Sequence, residues 1–104
     1  MSETDIIDDV KLDEKIKKIT TEPKKYKVVF INDNQTPVEW VVRVLTDIFK
    51  HTQEVAEKIT LTIHTEGSGI AGIYTYEIAE QKMLEATTAS RNHGFPLQIK
   101  LELE

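Results

Sequence analysis

The sequence predicts an α+β fold, in which helices cover one face of a small, mainly antiparallel sheet and the elements follow in the order β-α-α-β-α-β. Two patterns support this prediction. Apolar residues recur at helical spacing in several stretches, whereas leucine or isoleucine occupies every second position from Leu97 to Leu103. With 104 residues, the chain is long enough for one domain with a modest core and too short for two.

The first strand is predicted over residues 28–31, where β-branched and aromatic residues follow one another. Residues 32–34 end it, because their short polar side chains hydrogen-bond to nearby backbone and favour turns. Thr36 is followed by a proline and, three residues on, by a glutamate, which is the pattern of a capping box with Thr36 as the N-cap. The first helix is therefore predicted to begin at Pro37 and to run to about Phe49.

The second helix has a start signal and a stop signal. Thr52 suits an N-cap, and a glutamate follows in the first turn. Gly67 suits the left-handed residue that ends many helices. Between them, a shared buried face is predicted for Val55, Ala56, Ile59 and Ile63.

The last three elements are predicted from their patterns and end signals. A short strand is predicted over residues 70–74, and the third helix runs from Thr75 to about Asn92. The alternating residues 97–103 form the last strand, with the leucines and the isoleucine on its buried face.

The composition excludes several classes of protein. The net charge is −5 at pH 7, which argues against nucleic acid as a partner, because that binding needs clustered lysine and arginine. The absence of cysteine excludes a disulfide framework and a thiolate zinc site, and favours a cytoplasmic location. No signal-peptide pattern and no apolar run of roughly 18 residues occurs, so no membrane association is expected.

The chain is predicted to divide near Pro23. Residues 1–22 are rich in acidic side chains and carry only scattered apolar ones, which predicts a flexible N-terminal extension. The scattered isoleucines within residues 1–22 leave open a second interpretation, in which this extension docks on a partner. Residues 23–104 are predicted to form the core domain.

The residues themselves indicate no catalytic chemistry. The chain has no glycine-rich phosphate loop and no serine in a nucleophile-elbow context. Its three histidines are spread along the chain, so no metal, cofactor or catalytic residue is expected. By residue type alone, residues 32–34 are predicted to form a turn, and their side-chain oxygens could accept a cation.

Four ordered segments of the chain resemble the ClpS family, adaptors that deliver N-degron substrates to a Clp AAA+ protease. The first is residues 26–45, YKVVFINDNQTPVEWVVRVL. The others are Ile63-His64, residues 72–82 (GIYTYEIAEQK) and residues 92–97 (NHGFPL). The resemblance covers about residues 24–104. It implies three helices on a three-stranded antiparallel sheet and a role in recognition, without catalysis.

The resemblance also implies a site for the α-amino group of the substrate. Asn32, Asp33 and His64 match the family positions that hold this group, and Asn34 stands where the family usually carries a second acid. An ammonium group offers three donors, which side-chain oxygens, a backbone carbonyl, an imidazole acceptor or a water can satisfy. A substrate with a free, primary N-terminus is therefore expected.

A hydrophobic pocket for the first side chain of the substrate, in this family Leu, Phe, Tyr or Trp, is implied as well. The residues that match its lining are Phe30, Ile31, Thr36, Val38, Val41, Thr60, Ile63 and Leu97. Val38 and Thr60 replace methionines of the family, so more room near the substrate backbone is expected and Ile is predicted to be accepted as well.

The partner implied by the resemblance is the N-terminal domain of a Clp AAA+ unfoldase. Glu77 and Lys82, on the third predicted helix, match the positions that dock on it, and the chain is expected to act as a monomer. Two alternatives remain. An enzyme that uses Asp33 and His64 as acid and base would cleave peptides when purified alone. A structural interaction domain of the same fold would bind no peptide through its free N-terminus.

Overall fold

The computed structural model describes residues 23–104, and the predicted N-terminal extension, residues 1–22, lies outside the described residues. The predicted order of elements is confirmed. The elements are β1 (Lys25–Ile31), α1 (Val38–Asp47), α2 (Gln53–Glu66), β2 (Ser68–Thr75), α3 (Tyr76–Asn92) and β3 (Gln98–Leu103). Three helices pack on a three-stranded antiparallel sheet, as the sequence and the resemblance predicted.

Strand β1 is the centre of the sheet, whose order is β2-β1-β3. Because β1 has a neighbour on each side, Val28 and Phe30 are fully buried, and both belong to the hydrophobic core. Phe30 pairs with Gly69 of β2 and with Ile99 of β3. The strand thus carries the chain from the core directly into the polar turn at residues 32–34, which is how it positions the candidate site.

A β-bulge in β2 ties the sheet to the loop between α1 and α2. Val28 pairs with Gly72 and Val29 with Ile70, so Ala71 is an extra residue in β2. The Nε2 atom of His51 donates a hydrogen bond to the carbonyl of Ala71. This bond holds the loop that leads into α2 against the sheet.

The predicted capping box at Thr36 is wrong. Pro37 is the N-cap of α1 and Val38 its first residue, and no side chain caps the helix. The Thr36 hydroxyl donates instead to the Asp33 carboxylate, at 2.8 Å from Oδ2. Hydrogen bonds to ionised groups are roughly twice as strong as those between neutral groups, so the Asp33 carboxylate orients the Thr36 side chain, whose hydroxyl accepts no amide of the first helical turn.

Helix α1 also ends earlier than predicted, at Asp47. Ile48 is its C-cap, and Lys50 has a φ of 62°. A non-glycine residue in the left-handed region cannot continue a right-handed helix. Phe49 therefore lies outside the helix, although it is buried in the core against Phe30, with 5.5 Å between the ring centres.

Both end signals of α2 are confirmed. The Thr52 hydroxyl accepts a hydrogen bond from the Val55 amide at 3.2 Å, and Gly67 ends the helix with a φ of 93°. On the predicted buried face Ala56 is fully buried, but the prediction is wrong for Val55, which is 40% exposed. Ile63, at the other end of the same face, is buried.

The last strand is buried along only part of its length. Leu97, just before β3, is buried, but Leu103 at the far end is 52% exposed, so the predicted buried face is wrong at that end. Leu103 pairs with Tyr26 near the beginning of β1, at the end of the sheet that is farthest from the turn at residues 32–34. None of the helices within residues 23–104 is long and apolar enough to cross a bilayer.

Candidate functional site

The turn after β1 is built around the Asp33 carboxylate. Its Oδ1 atom accepts hydrogen bonds from the Gln35 and Thr36 amides, each at 2.7 Å, and its Oδ2 atom accepts the Thr36 hydroxyl at 2.8 Å. A carboxylate has about four acceptor sites, so these three bonds leave one of them open. The prediction of a turn at residues 32–34 is confirmed, with Asp33 as the residue that organises it.

These contacts determine the ionisation of Asp33. Partial burial on its own raises the pKa of this carboxyl group, but the Thr36 and Gln35 amides, the Thr36 hydroxyl and the positive charge of Arg91 together outweigh burial. The pKa of Asp33 therefore lies below its ordinary value of 3.8. At neutral pH the turn carries a full negative charge.

A backbone hydrogen bond joins this turn to the end of α2. The Asn32 amide donates to the carbonyl of Gly67 at 2.9 Å. Gly67 is the C-cap of α2, and His64 lies in the last turn of that helix. The side chains of Asn32, Asn34 and His64 are exposed, whereas Asp33 is partly buried. The backbone bond therefore brings the turn next to the end of α2, and we call residues 32–34 together with His64 the rim.

An apolar cleft of about 220 Å³ opens between α1 and α2 next to this rim. The residues that line it are Val38, Val42, Glu57, Thr60, Leu61 and His64. Three of them, Val38, Thr60 and His64, were singled out from the sequence. Val42 and Leu61 were missed, although Val42 lies one helical turn beyond Val38 and that spacing could have indicated it.

The other predicted pocket residues lie in three different places. Those in the hydrophobic core, all nearly or fully buried, are Phe30, Val41, Ile63 and Leu97. Ile31 borders a second, more polar cavity of about 340 Å³, which includes the side chains of the turn and Gln98. Thr36 is bound to Asp33. Their role as a pocket for a substrate side chain stays a prediction.

Thr60, which lines the cleft, is a polar residue in a buried position. Its side chain is nearly buried, and its hydroxyl donates to the Ala56 carbonyl at 2.8 Å. This bond satisfies the hydroxyl within the helix, so the residue adds no unpaired donor to the cleft. The expectation that Thr60 widens the choice of first residue stays a prediction.

The two residues predicted to bind the unfoldase differ in their surroundings. Glu77 is exposed in the first turn of α3. Lys82 is partly buried, and its Nζ atom donates to the Ile48 carbonyl at 2.9 Å. The same ammonium lies 5.9 Å from the centre of the Phe49 ring and 5.5 Å from that of Tyr74. Lys82 therefore also holds the end of α1 against α3.

Within the part of the chain that the structure describes, no three His, Cys, Asp or Glu side chains come together as metal ligands would. The rim instead combines a negative charge, amide groups and one imidazole beside an apolar cleft. Such an arrangement suits an ammonium group that carries an apolar substituent.

The chain is similar to known adaptor proteins over most of its length. A family model described as "ATP-dependent Clp protease adaptor protein ClpS" matches residues 21–100. The ATP-dependent Clp protease adapter protein ClpS of Helicobacter hepaticus is 44% identical over 81 residues, which are 78% of this chain and 82% of that protein. Its counterpart in Treponema denticola is also 44% identical over 81 residues, covering 78% of this chain and 80% of that protein.

A solved structure matches the fold. It is the structure of Agrobacterium tumefaciens ClpS2 bound to L-phenylalaninamide, with a TM-score of 0.77 and 37% sequence identity. The match covers 80% of this chain and 100% of the A. tumefaciens chain.

Proposed function

The chain belongs to the ClpS family of ATP-dependent Clp protease adaptors, and on this premise we propose that it binds the free α-amino group and the bulky hydrophobic first residue of N-degron substrates. It then delivers these substrates to a Clp AAA+ unfoldase for degradation. The function is recognition and transfer, and we expect the purified chain to cleave no peptide by itself.

One observation carries this proposal. The hydrogen bond from the Asn32 amide to the Gly67 carbonyl fastens the acidic turn to the end of the helix that carries His64. This bond supports the proposal because it brings the turn next to the end of α2, three residues from His64, and His64 lines the apolar cleft.

The chemistry of the rim fits an α-ammonium group. In the proposed complex, the three N–H donors of the ammonium bond to the Asn32 side-chain oxygen, to the open acceptor site of Asp33 and to a His64 ring nitrogen. The negative charge of Asp33 favours the cation. The ligand of the A. tumefaciens relative, L-phenylalaninamide, combines a free α-amino group with an apolar side chain, which supports the same type of ligand here.

The apolar cleft supports the second half of the proposal. Val38 and Thr60 line its mouth, and the core residues Val41 and Ile63 belong to the same two helices. Burying a Leu or Phe side chain contributes about 1.5–3 kcal/mol, which by itself gives weak binding. The amine site and the apolar site are therefore both needed for useful affinity.

A peptide pair tests the amine site. We expect a peptide with a free Leu at its N-terminus to bind, and the same peptide with an acetylated N-terminus to bind more weakly by about 1–3 kcal/mol, because acetylation removes the charge and leaves acceptors unpaired. Isothermal titration calorimetry or fluorescence anisotropy measures the difference. Equal affinity for the two peptides would contradict the proposal.

Two variants locate the effect. His64→Ala is expected to weaken binding of the free peptide and to reduce the difference between the free and acetylated forms. Thr62→Ala is the matched control, since Thr62 is also exposed on α2, two residues away and on another side of the helix. If Thr62→Ala lowered affinity as much as His64→Ala, the loss would reflect the helix as a whole and not the imidazole.

A further inference from the structure

A polar trough begins at the turn after β1 and continues along β3. Its first part is the cavity of about 340 Å³ that is lined by residues 31–35, Pro96 and Gln98. Its second part is a further cavity, also of about 340 Å³, whose lining residues are Ile31, Thr87, Arg91, Gln98, Ile99 and Lys100. Because Ile31 and Gln98 belong to both cavities, the two form one continuous trough.

The trough and the apolar cleft lie on opposite sides of β1. The Asn32 amide bonds to the Gly67 carbonyl just before β2, so the end of α2, with His64 and the cleft, is on the β2 side. Gln98 pairs with Ile31, so the trough is on the β3 side. Since the strand order is β2-β1-β3, the turn that continues β1 lies between the cleft and the trough.

The far end of the trough carries two cationic side chains, Arg91 and Lys100, and none of the described residues that line it is acidic. The Nη1 atom of Arg91 donates to the Phe95 carbonyl at 3.0 Å and to the Leu97 carbonyl at 2.8 Å. A guanidinium group has five N–H donors in a rigid plane, so these two bonds fix its position and occupy only the donors of Nη1. Arg91 is thus a preorganised cation at the wall of a cavity.

The near end of the trough carries a single negative charge, because Asp33 is the only ionisable side chain among the described residues that line it. Partial burial on its own raises the pKa of Asp33, but the positive charge of Arg91 is among the contacts that outweigh burial and lower it. Arg91 therefore lies within electrostatic reach of the turn. The trough passes from an acceptor of cations at the turn to two cations beside β3.

We propose that the cationic end of this trough is a subsite for an acidic side chain at the second residue of the substrate. In an extended peptide, successive side chains point to opposite sides. When the first side chain enters the cleft on the β2 side, the second therefore points to the β3 side, where the trough lies. This inference rests on the proposed function and extends it from the first residue of the substrate to the second.

The position of the two cations favours glutamate over aspartate. Lys100 lies two residues beyond Gln98 in β3, which corresponds to about 6.6–6.8 Å along the strand. The longer side chain of glutamate reaches farther from the turn, away from the like charge of Asp33. Lys100 is 56% exposed, and its ammonium lies 3.0 Å from the Glu102 carboxylate, so a substrate carboxylate competes with Glu102 for it.

Four peptides test the subsite on the full chain. They begin with Leu-Glu, Leu-Asp, Leu-Gln and Leu-Lys and are otherwise identical. We expect Leu-Glu to bind about threefold more tightly than Leu-Gln, as one partly exposed ion pair contributes, with Leu-Asp between them and Leu-Lys weakest. The preference should shrink when the salt concentration rises from about 0.05 M to about 0.5 M, because salt screens exposed charges.

The opposite order of affinities would overturn the subsite. The net charge of −5 and the charge of Asp33 both favour a basic second residue, so a chain without a cationic subsite should bind Leu-Lys most tightly. Tightest binding of Leu-Lys would therefore contradict the proposal.

The variant Lys100→Glu should abolish the preference for Leu-Glu over Leu-Gln, because it places a like charge in the trough. Lys25→Glu is the matched control, since it makes the same change of charge at an exposed lysine at the other end of β1, and it should keep the preference. Glu102→Gln should strengthen the preference, because it removes the carboxylate that lies beside Lys100. An unchanged preference in Lys100→Glu would overturn the assignment.

Failure of this inference is distinguishable from failure of the proposed function. If Leu-Glu and Leu-Gln bind equally, but acetylation of the N-terminus still weakens both, the amine site stands and the acidic subsite is excluded. If acetylation has no effect on either, the proposed function itself fails.

Discussion

At the scale of single residues, Asp33 decides the shape of the candidate site. Its carboxylate accepts the Gln35 amide and both the amide and the hydroxyl of Thr36. The same bonds draw Thr36 away from the helix cap that its position in the sequence predicts. Asp33 thus orders the turn, and in the proposed complex it also places a negative charge beside the ammonium group of the substrate.

Asp33→Asn is expected to lower the free energy of unfolding by about 1 kcal/mol at pH 7, since an amide keeps only part of the acceptor capacity. The pKa of Asp33 is lowered on folding, so its stabilisation is present above the ordinary pKa of 3.8 and is lost as the pH falls through the folded value. The difference between wild type and variant should therefore shrink below pH 3.8. Urea unfolding over a pH series measures it.

Asp47→Asn is the control for this prediction. Asp47 is an exposed carboxylate in a surface pair with Arg43, four residues away in the same helix, and such pairs contribute little. Its replacement should change stability only slightly at any pH. A difference for Asp33→Asn that stayed constant down to pH 3 would show that the charge of Asp33 is not what stabilises the turn.

At the scale of elements, α2 links stability and binding. Thr52 caps its beginning, Gly67 ends it in the left-handed conformation, and the Gly67 carbonyl then receives the Asn32 amide. The residue that ends the helix is therefore the residue that positions the turn. A change at this point affects the geometry of the rim as well as the helix.

Gly67→Ala tests this link, with Gly94→Ala as its matched control. Both glycines have positive φ, 93° and 80°, and an added Cβ would meet nothing within 4 Å at either one, so the cost of each change is backbone strain alone. Each should cost about 1–2 kcal/mol of stability, measured by thermal or urea unfolding. Only Gly67→Ala should also weaken binding of a peptide with a free N-terminus. Equal effects of both on binding would contradict the link.

At the scale of the whole molecule, the proposed function needs two surfaces that act separately. The rim and the apolar cleft are formed by the turn after β1 with α1 and α2, whereas Glu77 lies at the beginning of α3. Lys82 is less suitable for a separate test, because its ammonium bonds to the Ile48 carbonyl at the end of α1. Its replacement would change the packing of α1 as well as the outer surface of α3.

Glu77→Gln is expected to weaken association with a Clp AAA+ unfoldase by more than about fivefold, as the loss of one important interface charge does, and to leave peptide binding unchanged. Glu85→Gln, at another exposed position of α3, should change neither. Binding assays with the unfoldase and with a Leu-first peptide measure the two effects. Loss of peptide affinity with retention of unfoldase binding would show that the surfaces are misassigned.

Local signals in the sequence determined the order of the elements, the turn after β1 and both ends of α2. Each of these depends on interactions within a few residues, such as the Thr52 cap and the left-handed Gly67. The same local reasoning failed at Thr36, because its amide and hydroxyl both donate to the charged Asp33 carboxylate and its hydroxyl accepts no helix amide. It also failed for Val55, since only packing decides which of two neighbouring apolar residues faces the core.

Only the tertiary structure decided which distant residues meet. The bond from Asn32 to Gly67 joins parts of the chain that are far apart in sequence, and no local pattern encodes it. The same holds for the apolar cleft, where Val42 and Leu61 come together because α1 and α2 pack side by side. The bond from the Lys82 ammonium to the Ile48 carbonyl, 34 residues away along the chain, is a further example. Such contacts depend on how the elements pack, because side chains of different elements meet only after the core has brought them together.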